Sequence, residues 1–401
     1  MHIDINSCFA TCEQQANPLL RGKPVAVAAY LGPSGCVLAA STEAKRLGIK
    51  TGMRVRAAKG VCPKLTVLLP DPDKYRNIHL KLKNLLCNYS DEVYPKSIDE
   101  FVLEPKVKGS MFEIAKEIKQ RIKADIGEYI SVSIGISTNR FLAKTASNLQ
   151  KPDGLRQIDK HNFAKVYADL SLTDFCGIKF QNATRLQGVG IYTPWDFYQA
   201  PVWKLRAAFG SIVGYYWHLR LHGYEIDDVA STRGSFGNSY VLPKAAYDKR
   251  EFLPILAKLT QKMGMRLREA GYKAQGVHLS LGFKDQTYWH KGTKTARVLF
   301  DSRDFFKEAL RILQVCPFKK PVASLAISVF NLVSSQALQL DLFEDVDKKK
   351  SLTEAVDSLN KRWGIFCVTS AKMLGTNDLV PDRIAFGSVK ELEEFVQAPL
   401  S

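Results

Sequence analysis

No apolar run in this chain approaches the ~18 residues that a membrane-spanning helix requires, and no stretch has the make-up of a basic amphipathic helix lying on a lipid surface. Both features weigh against a membrane partner. A secretory leader is also missing, because Asp4 and Asn6 interrupt any apolar core at the start; this points to the cytoplasm. The apolar run before Asp4, only Met1-His2-Ile3, is short for a central strand and predicts that a few residues precede Met1 in the natural chain. The 8 cysteines contain no CxxC pair, which argues against structural zinc. Most lie in apolar stretches and read as small core residues in a reducing compartment. Internal repeats are absent, so a solenoid is excluded.

Acidic residues are in deficit. Asp and Glu number 40 against 57 Lys and Arg, giving a net charge of +17 and a pI near 9.4. Such an excess favours a polyanion, since each neutralised phosphate releases counterions. With membrane set aside, nucleic acid is the expected partner. Hydrophobic content of 46% and charged content of 24% are ordinary for a globular protein. A length of 401 residues exceeds one core and predicts two to four domains.

Residues 1–9 read as a strand, 23–30 and 35–40 as two more, and 41–47 as a helix capped by Ser41 and stopped by Gly48. Helical periodicity marks 74–89 and 110–127, with an extended stretch at 92–103 between them. A strand at 130–137 and a helix at 140–149 complete a mixed sheet backed by helices. From 166 to 229, short helices are broken by Gly177, Gly188, Gly190, Gly210, Gly214 and Gly223. Small polar residues at 230–235 suggest a linker. Residues 236–333 follow the order of a split βαββαβ unit. Across 232–335, about 18 Lys and Arg stand against about 7 Asp and Glu, so roughly +11 of the total charge sits there. The end, 344–401, is of mixed charge with a helix-like run at 352–363; it could bind a partner or close over the 166–229 region.

Two-metal phosphoryl transfer needs carboxylates converging on cations about 3.5–4 Å apart. Hard oxygen ligands suit Mg²⁺, which keeps waters and substrate phosphates in its shell. Asp4 in the first strand and Asp99-Glu100 in Ser97-Ile98-Asp99-Glu100 are the candidates. Consecutive strand residues face opposite ways, so Asp99 and Glu100 share a site only at a turn or bulge. Taken alone, acidic residues at a hairpin read as a solvated turn, Phe9 as a core aromatic and the glycines as helix ends.

Taken in order, the strings say more. Asp4-x-Asn6-x-Cys8-Phe9-Ala10 is followed by Gly22-Lys23-Pro24-Val25-Ala26-Val27 and Ser97-Ile98-Asp99-Glu100. Ser133-Ile134-Gly135-Ile136-Ser137-x-Asn139-x-x-x-Ala143-Lys144 and Lys151-Pro152-Asp153-Gly154 come next. This set resembles the Y-family, or translesion, DNA polymerases over residues 1 to about 343.

The resemblance implies an α+β multidomain right hand. Palm and fingers would span 1–165 (fingers about 11–67), a helix-hairpin-helix thumb 166–229, a linker 230–235, a βαββαβ little finger 236–335, and a clamp-binding peptide with a tail 336–401. It implies two Mg²⁺ ions, with Mn²⁺ able to substitute, held by Asp4, Asp99, Glu100 and the carbonyl of Ile5. Phe9 matches the steric gate beneath the sugar, beside Cys8. Lys151 matches the lysine on the triphosphate. Thr42 and Lys45 stand where the family usually has Tyr and Arg; lysine lacks the bidentate fork. Cys36 and Leu38 would cover the nascent base pair, Leu38 being bulkier than is common there. Gly177 and Gly210 would mark hairpins holding DNA phosphates, although Gly177-Ile178-Lys179 lacks the usual second glycine. Arg233, Lys284, Lys291, Lys294 and Arg297 are candidate duplex contacts. Gln339-Leu340-Asp341-Leu342-Phe343 looks like a bacterial sliding-clamp peptide; a last core strand is the alternative.

The implied activity is templated addition of dNTPs to a primer end by a monomer, at low fidelity, in damage tolerance or the SOS response. Two rivals from other classes remain: a non-catalytic, clamp-associated repair factor on a polymerase scaffold, and a nucleotidyl cyclase.

Overall fold

The computed structural model describes residues 1–381 except 107, 229–232, 318 and 335–344. These residues form two compact units on either side of 229–232.

The first unit begins with β1 (His2–Ile5), four residues that are all buried. The strand expected through residue 9 ends here. Ser7 takes a left-handed backbone, φ +52°, and α1 (Cys8–Ala16) starts at once. Phe9 is thus a helix residue. Next come β2 (Val25–Ala28), β3 (Val37–Ala40), α2 (Thr42–Arg46), α3 (Val55–Val61) and β4 (Thr66–Leu68). The Ser41 side chain caps α2 by accepting the Ala44 N–H. Strands β3, β2 and β4 make a small sheet with its own core around Val37, Ile49 and Leu65.

The chain continues through α4 (Pro72–Leu86), β5 (Val93–Pro95), β6 (Glu100–Leu103), α5 (Met111–Arg121), β7 (Val132–Ile136), α6 (Arg140–Asn148) and β8 (Leu155–Gln157). The larger sheet runs β5-β6-β1-β7-β8. β1 lies at its centre, antiparallel to β6 and β7, with Asp4 opposite both Glu100 and Ser133. Side chains alternate, so Ile3, Phe101 and Ile134 take one face, covered by Leu82 and Ile118 of α4 and α5. His2, Asp4, Glu100, Ser133 and Gly135 take the other. Gly135 lets α6 settle onto that face: a Cβ there would stand 1.9 Å from the Ala143 carbonyl oxygen.

Five short helices follow, α7 (Phe163–Asp169), α8 (Phe180–Gln187), α9 (Pro194–Gln199), α10 (Val202–Phe209) and α11 (Val213–Leu221). They enclose an aromatic-rich core with Tyr167, Phe175, Phe197 and Trp217, which also takes in Phe141 of α6. Gly210, at φ +61°, turns α10 into α11. Gly214 is no breaker. It lies inside α11, where a Cβ would meet the Leu205 backbone at 2.4 Å, so it allows the two helices to cross closely.

The second unit contains β9 (Ser235–Ala246), α12 (Lys249–Glu269), β10 (Tyr272–Phe283), β11 (Tyr288–Leu299), α13 (Ser302–Gln314), β12 (Val322–Ser334) and α14 (Val346–Trp363). Up to β12 this is the βαββαβ order expected. The sheet is antiparallel, β11-β10-β12-β9. Leu256, Leu259, Phe305 and Ile312 of α12 and α13 pack on Val277, Leu279, Leu325 and Ile327. Ser235, expected in the linker, already belongs to β9.

The helix expected at 352–363 begins six residues earlier, capped by Asp345. Residues 345–381 pack within the second unit. Arg268 forks onto Asp357 at 2.6 and 2.9 Å, and Met373 and Val380 join the core. Lys258, only 5% exposed, donates to the carbonyls of Thr376, Asn377 and Leu379 at 2.6, 3.2 and 2.6 Å.

Among the described residues, no helix is long and apolar enough to cross a membrane. All eight cysteines are free thiols, but the core expectation holds for four only. Cys8, Cys12, Cys62 and Cys316 are buried, whereas Cys36, Cys87, Cys176 and Cys367 are exposed. Cys87 closes the end of α4 and Cys176 precedes the Gly177 turn, so apolar neighbours in sequence do not place either of them inside.

Candidate active site

A cavity of about 560 Å³ opens at the end of β1. Asp4, Ile5, Cys8, Phe9, Leu38, Thr42, Lys45, Asp99 and Lys151 all line it. These nine residues come from segments spread over nearly 150 positions. Glu100 and Cys36 are not in its lining. Cys36 sits instead in an isolated bridge with Arg54, ahead of β3.

The acidic side is built by the register of the sheet. Asp4 is buried and accepts a 2.8 Å bond from Lys151 Nζ. Asp99 lies in a bend just before β6, outside the strand, so its side chain is released from strand alternation. The bend is closed by bonds from the Lys96 and Ser97 N–H groups to the Glu100 carbonyl, at 2.8 and 3.4 Å, and the Asp99 carbonyl accepts the Ile5 N–H at 2.9 Å. Burial pushes the Asp99 carboxyl up. The Ser97 hydroxyl, 2.5 Å away, opposes this, and the negative charges of Asp4 and Glu100 add to it.

Glu100 is in the reverse situation. Burial alone would raise it, but the nearby His2 imidazole and the hydrogen-bonded ammonium of Lys144 outweigh that and hold the carboxyl at about 2. Lys144 Nζ donates to both of its oxygens, at 2.8 and 2.6 Å.

The same cavity has a basic lining. Lys45 and Arg46 of α2 and Lys151 supply it, with Thr42 and Thr51 as hydroxyl donors. Burial and then the charge of Lys151 lower the Lys45 ammonium. Phe9 stacks on Tyr75, with ring centroids 4.3 Å apart and planes within 9°. The Tyr75 hydroxyl donates to Glu13 at 2.8 Å, and Lys74 bonds the same carboxylate at 2.6 Å.

Asn6 ties the site together, although its role is not apparent from sequence. Its amide donates to Ser133 Oγ at 2.9 Å, and its carbonyl accepts the Asp153 N–H at 2.7 Å. The loop bearing Lys151 is thereby held to the end of β1. Arg46 and Thr51 are further lining residues that sequence reasoning missed, as it did the Tyr75 ring that backs Phe9.

Hard oxygen donors for Mg²⁺ are therefore present: the Asp4 and Asp99 carboxylates and the Ile5 backbone, facing one space. The negative charge of Asp4 that helps to raise the Asp99 carboxyl is one that a divalent ion between them would offset. Among the described residues, however, no three His, Cys, Asp or Glu side chains stand together closely enough to hold a metal. Glu100 is the one turned aside, onto Lys144.

The remaining candidates lie elsewhere. Gly177, φ +92°, turns the chain before α8, and Gly210 ends α10. In the second unit, the Arg233 guanidinium lies 3.7 Å over the Phe236 ring. Lys291, Lys294 and Arg297 are exposed on the edge strand β11, and Lys284 is exposed just beyond β10. Residues 339–343 fall outside the described residues.

Residues 3–148 match the model of the impB/mucB/samB family, and 233–342 match that of the family's C-terminal domain. The chain is 32% identical over 392 residues to DNA polymerase IV of Pelotomaculum thermopropionicum, covering 95% of this chain and 96% of that one. It is 33% identical to DNA polymerase IV 1 of Bacillus subtilis, covering 90% of each. The chain belongs to the Y family of DNA polymerases. Solved structures agree. A Y-family chimera of Dbh and Dpo4 is similar with a TM-score of 0.74 at 26% identity, covering 83% of this chain and 98% of that one. An insertion ternary complex of Dbh DNA polymerase has a TM-score of 0.57 at the same identity and coverage. As a Y-family member the chain is a DNA-directed DNA polymerase with palm, fingers, thumb and little finger. Its segment 345–381 lies beyond both matched regions.

Proposed function

We propose that this polymerase extends a primer by two-metal phosphoryl transfer and serves low-fidelity translesion synthesis in the cytoplasm. Its substrates would be primer-template DNA and dNTPs. What carries the reading is that Asp4 and Asp99 line one cavity together with Lys45, Arg46, Lys151 and Phe9. A triphosphate laid against the basic lining brings its α-phosphate toward the aspartates and its sugar toward the Phe9 ring.

Asp4, Asp99, the Ile5 carbonyl and Glu100 would hold two Mg²⁺ ions, which supply charge to acidify the primer hydroxyl and to neutralise the leaving pyrophosphate. The primer 3′-oxygen forms a bond to the α-phosphorus as the bond to the β-phosphate oxygen breaks. Lys151 and Lys45 balance the charge that collects on pyrophosphate. Thr42 adds a hydroxyl donor. Phe9 excludes a 2′-hydroxyl by occupying the space it needs, with Cys8 beside it.

Leu38 sits on the cavity wall where the new base pair would lie, and we assign Cys36 to the rim. Residues 1–165 serve as palm and fingers, 166–229 as thumb, 236–335 as little finger and 336–401 as clamp peptide and tail. Gly177, Gly210, Arg233, Lys284, Lys291, Lys294 and Arg297 are assigned to the DNA backbone, and 339–343 to a sliding clamp that tethers the monomer.

Primer extension with Mg²⁺ on a defined template tests the reading. Templated addition that disappears in Asp4→Asn and Asp99→Asn supports it. Extension surviving both substitutions refutes the site. No extension by the natural chain at any concentration favours the non-catalytic repair factor, and template-independent turnover of a nucleotide favours the cyclase.

A further inference from the structure

Glu100 stands directly opposite Asp4 in the β1–β6 register and on the same face of the sheet. Asp4 nevertheless faces the nucleotide cavity, and Glu100 does not. What separates them is Lys144. Its single ammonium takes both carboxylate oxygens, at 2.8 and 2.6 Å, with Lys144 29% and Glu100 18% exposed. The pair is partly buried, so it is screened less than a surface ion pair.

The lysine is also firmly rooted. The contact at Gly135 fixes how closely α6 lies on the sheet. Asn139 caps the helix by accepting the Leu142 N–H at 2.7 Å, and donates to the carbonyls of Arg220 and Tyr224 at 2.8 and 3.0 Å. On the far side of Glu100, His2 Nε2 lies 3.8 Å away and has no hydrogen-bond partner. It therefore offers Glu100 no bond that would replace the lysine.

A carboxylate oxygen whose lone pairs are directed at an ammonium 2.6–2.8 Å away is not directed at a metal ion. Glu100 must surrender at least one of these bonds before it can become a ligand. We propose that Lys144 is a positioning residue that competes with a divalent cation for Glu100, keeping the third carboxylate off the site until the lysine is displaced. This rests on the two-metal reading of Asp4, Asp99 and Glu100. Lys151 takes one oxygen of Asp4, Oδ2 at 2.8 Å, and the Ser97 hydroxyl one oxygen of Asp99, whereas Lys144 takes both oxygens of Glu100. Each aspartate thus keeps an oxygen for the nucleotide-side ion, while the primer-side position is completed only by exchange of one cation for another on Glu100. The chain therefore binds one ion readily without DNA and a second one weakly.

Mn²⁺ uptake by the full chain, with neither DNA nor nucleotide present, reads this out without turnover; the free ion is followed by its paramagnetic resonance signal. Lys144→Met is expected to tighten the second, weak binding step by about tenfold. Lys144→Arg keeps a cation on Glu100 and should titrate like the natural chain. In Lys144→Met combined with Glu100→Gln the gain should vanish. An unchanged second step in Lys144→Met overturns the proposal. So does a gain that survives Glu100→Gln, because the effect would then be general charge rather than release of that carboxylate. Thermal melts show which variants are folded, and the arginine variant keeps the test open if the methionine variant is not. Uptake that Asp4→Asn leaves untouched would remove the two-metal reading itself, and this proposal with it.

Discussion

Replacing Phe9 by alanine should let this polymerase accept ribonucleotides. The ring is 3% exposed and lies against Tyr75 at 4.3 Å with near-parallel planes. Tyr75 is held in turn by its hydroxyl on Glu13 at 2.8 Å, and Glu13 by Lys74 at 2.6 Å. A 2′-hydroxyl pressing on Phe9 therefore meets a side chain with no room to retreat. Forcing one extra heavy atom into packing of this kind costs about 1–3 kcal/mol. At ~1.4 kcal/mol per tenfold in rate, that is roughly 5- to 150-fold of discrimination resting on the ring. Single-nucleotide incorporation of matched rNTP and dNTP gives the two kcat/KM values, and their ratio is the observable. Phe9→Ala should shift the ratio toward the ribonucleotide by about 10- to 100-fold. Phe9→Leu, which keeps most of the bulk, should shift it less. Truncating a buried phenylalanine also costs stability, about 3–5 kcal/mol, so melts of each variant must accompany the kinetics. A folded Phe9→Ala enzyme with the natural ratio would refute the gate and remove the reason for the Phe9–Tyr75–Glu13 stack.

Glu100, held at about 2 by Lys144 and His2, stabilises the fold above its unfolded value near 4.3 by roughly 3 kcal/mol, and loses this as the pH falls from about 4 to 2. Glu100→Gln should therefore melt with less dependence on acid over that window; a melting curve as acid-sensitive as the natural one would reject the pairing. Deleting 339–343 should leave distributive synthesis unchanged and abolish stimulation by a sliding clamp, and equal stimulation would refute the peptide. Lys258→Met should lower the stability of the second unit by about 3 kcal/mol or more in chemical denaturation, because three carbonyls of the C-terminal segment lose their donor. A loss below about 0.5 kcal/mol would show that the segment contributes little to that unit.

Much of this site is legible in sequence for a definite reason. The carboxylates and the Phe9 helix are local strings, and their order along the chain carries the family resemblance. The βαββαβ unit is legible because its elements are long and strongly periodic: α13 puts Phe305, Ala309 and Ile312 on one buried stripe. The end of β1 was misjudged because residues 8–10 are as apolar as a strand, and only the left-handed turn at Ser7 breaks it. Partnerships across distance are the harder part. Nothing near Phe9 announces a ring 66 positions away, and nothing near Glu100 announces Lys144. One signal was present and unused. Gly135 is a lone glycine inside a strand, which points to a close backbone approach, and that approach is α6, the helix that carries Lys144.

The adjacency of Asp99 and Glu100 becomes intelligible from the same sheet. Had β6 begun one residue earlier, alternation would have turned Asp99 onto the face of Phe101, among Ile3, Leu82 and Ile118. An ionised carboxylate there would lack both water and a cation, at a cost of several kcal/mol. The bend at Ser97–Asp99 avoids this by starting the strand at Glu100, and the Ser97 hydroxyl bonds the carboxylate that is turned out. Two neighbouring acids thus reach different surroundings, one the cavity and the other a lysine. A substitution that extended β6 by a residue, such as a β-branched residue at Ser97, should damage the site through Asp99 alone and leave the Glu100–Lys144 pair in place.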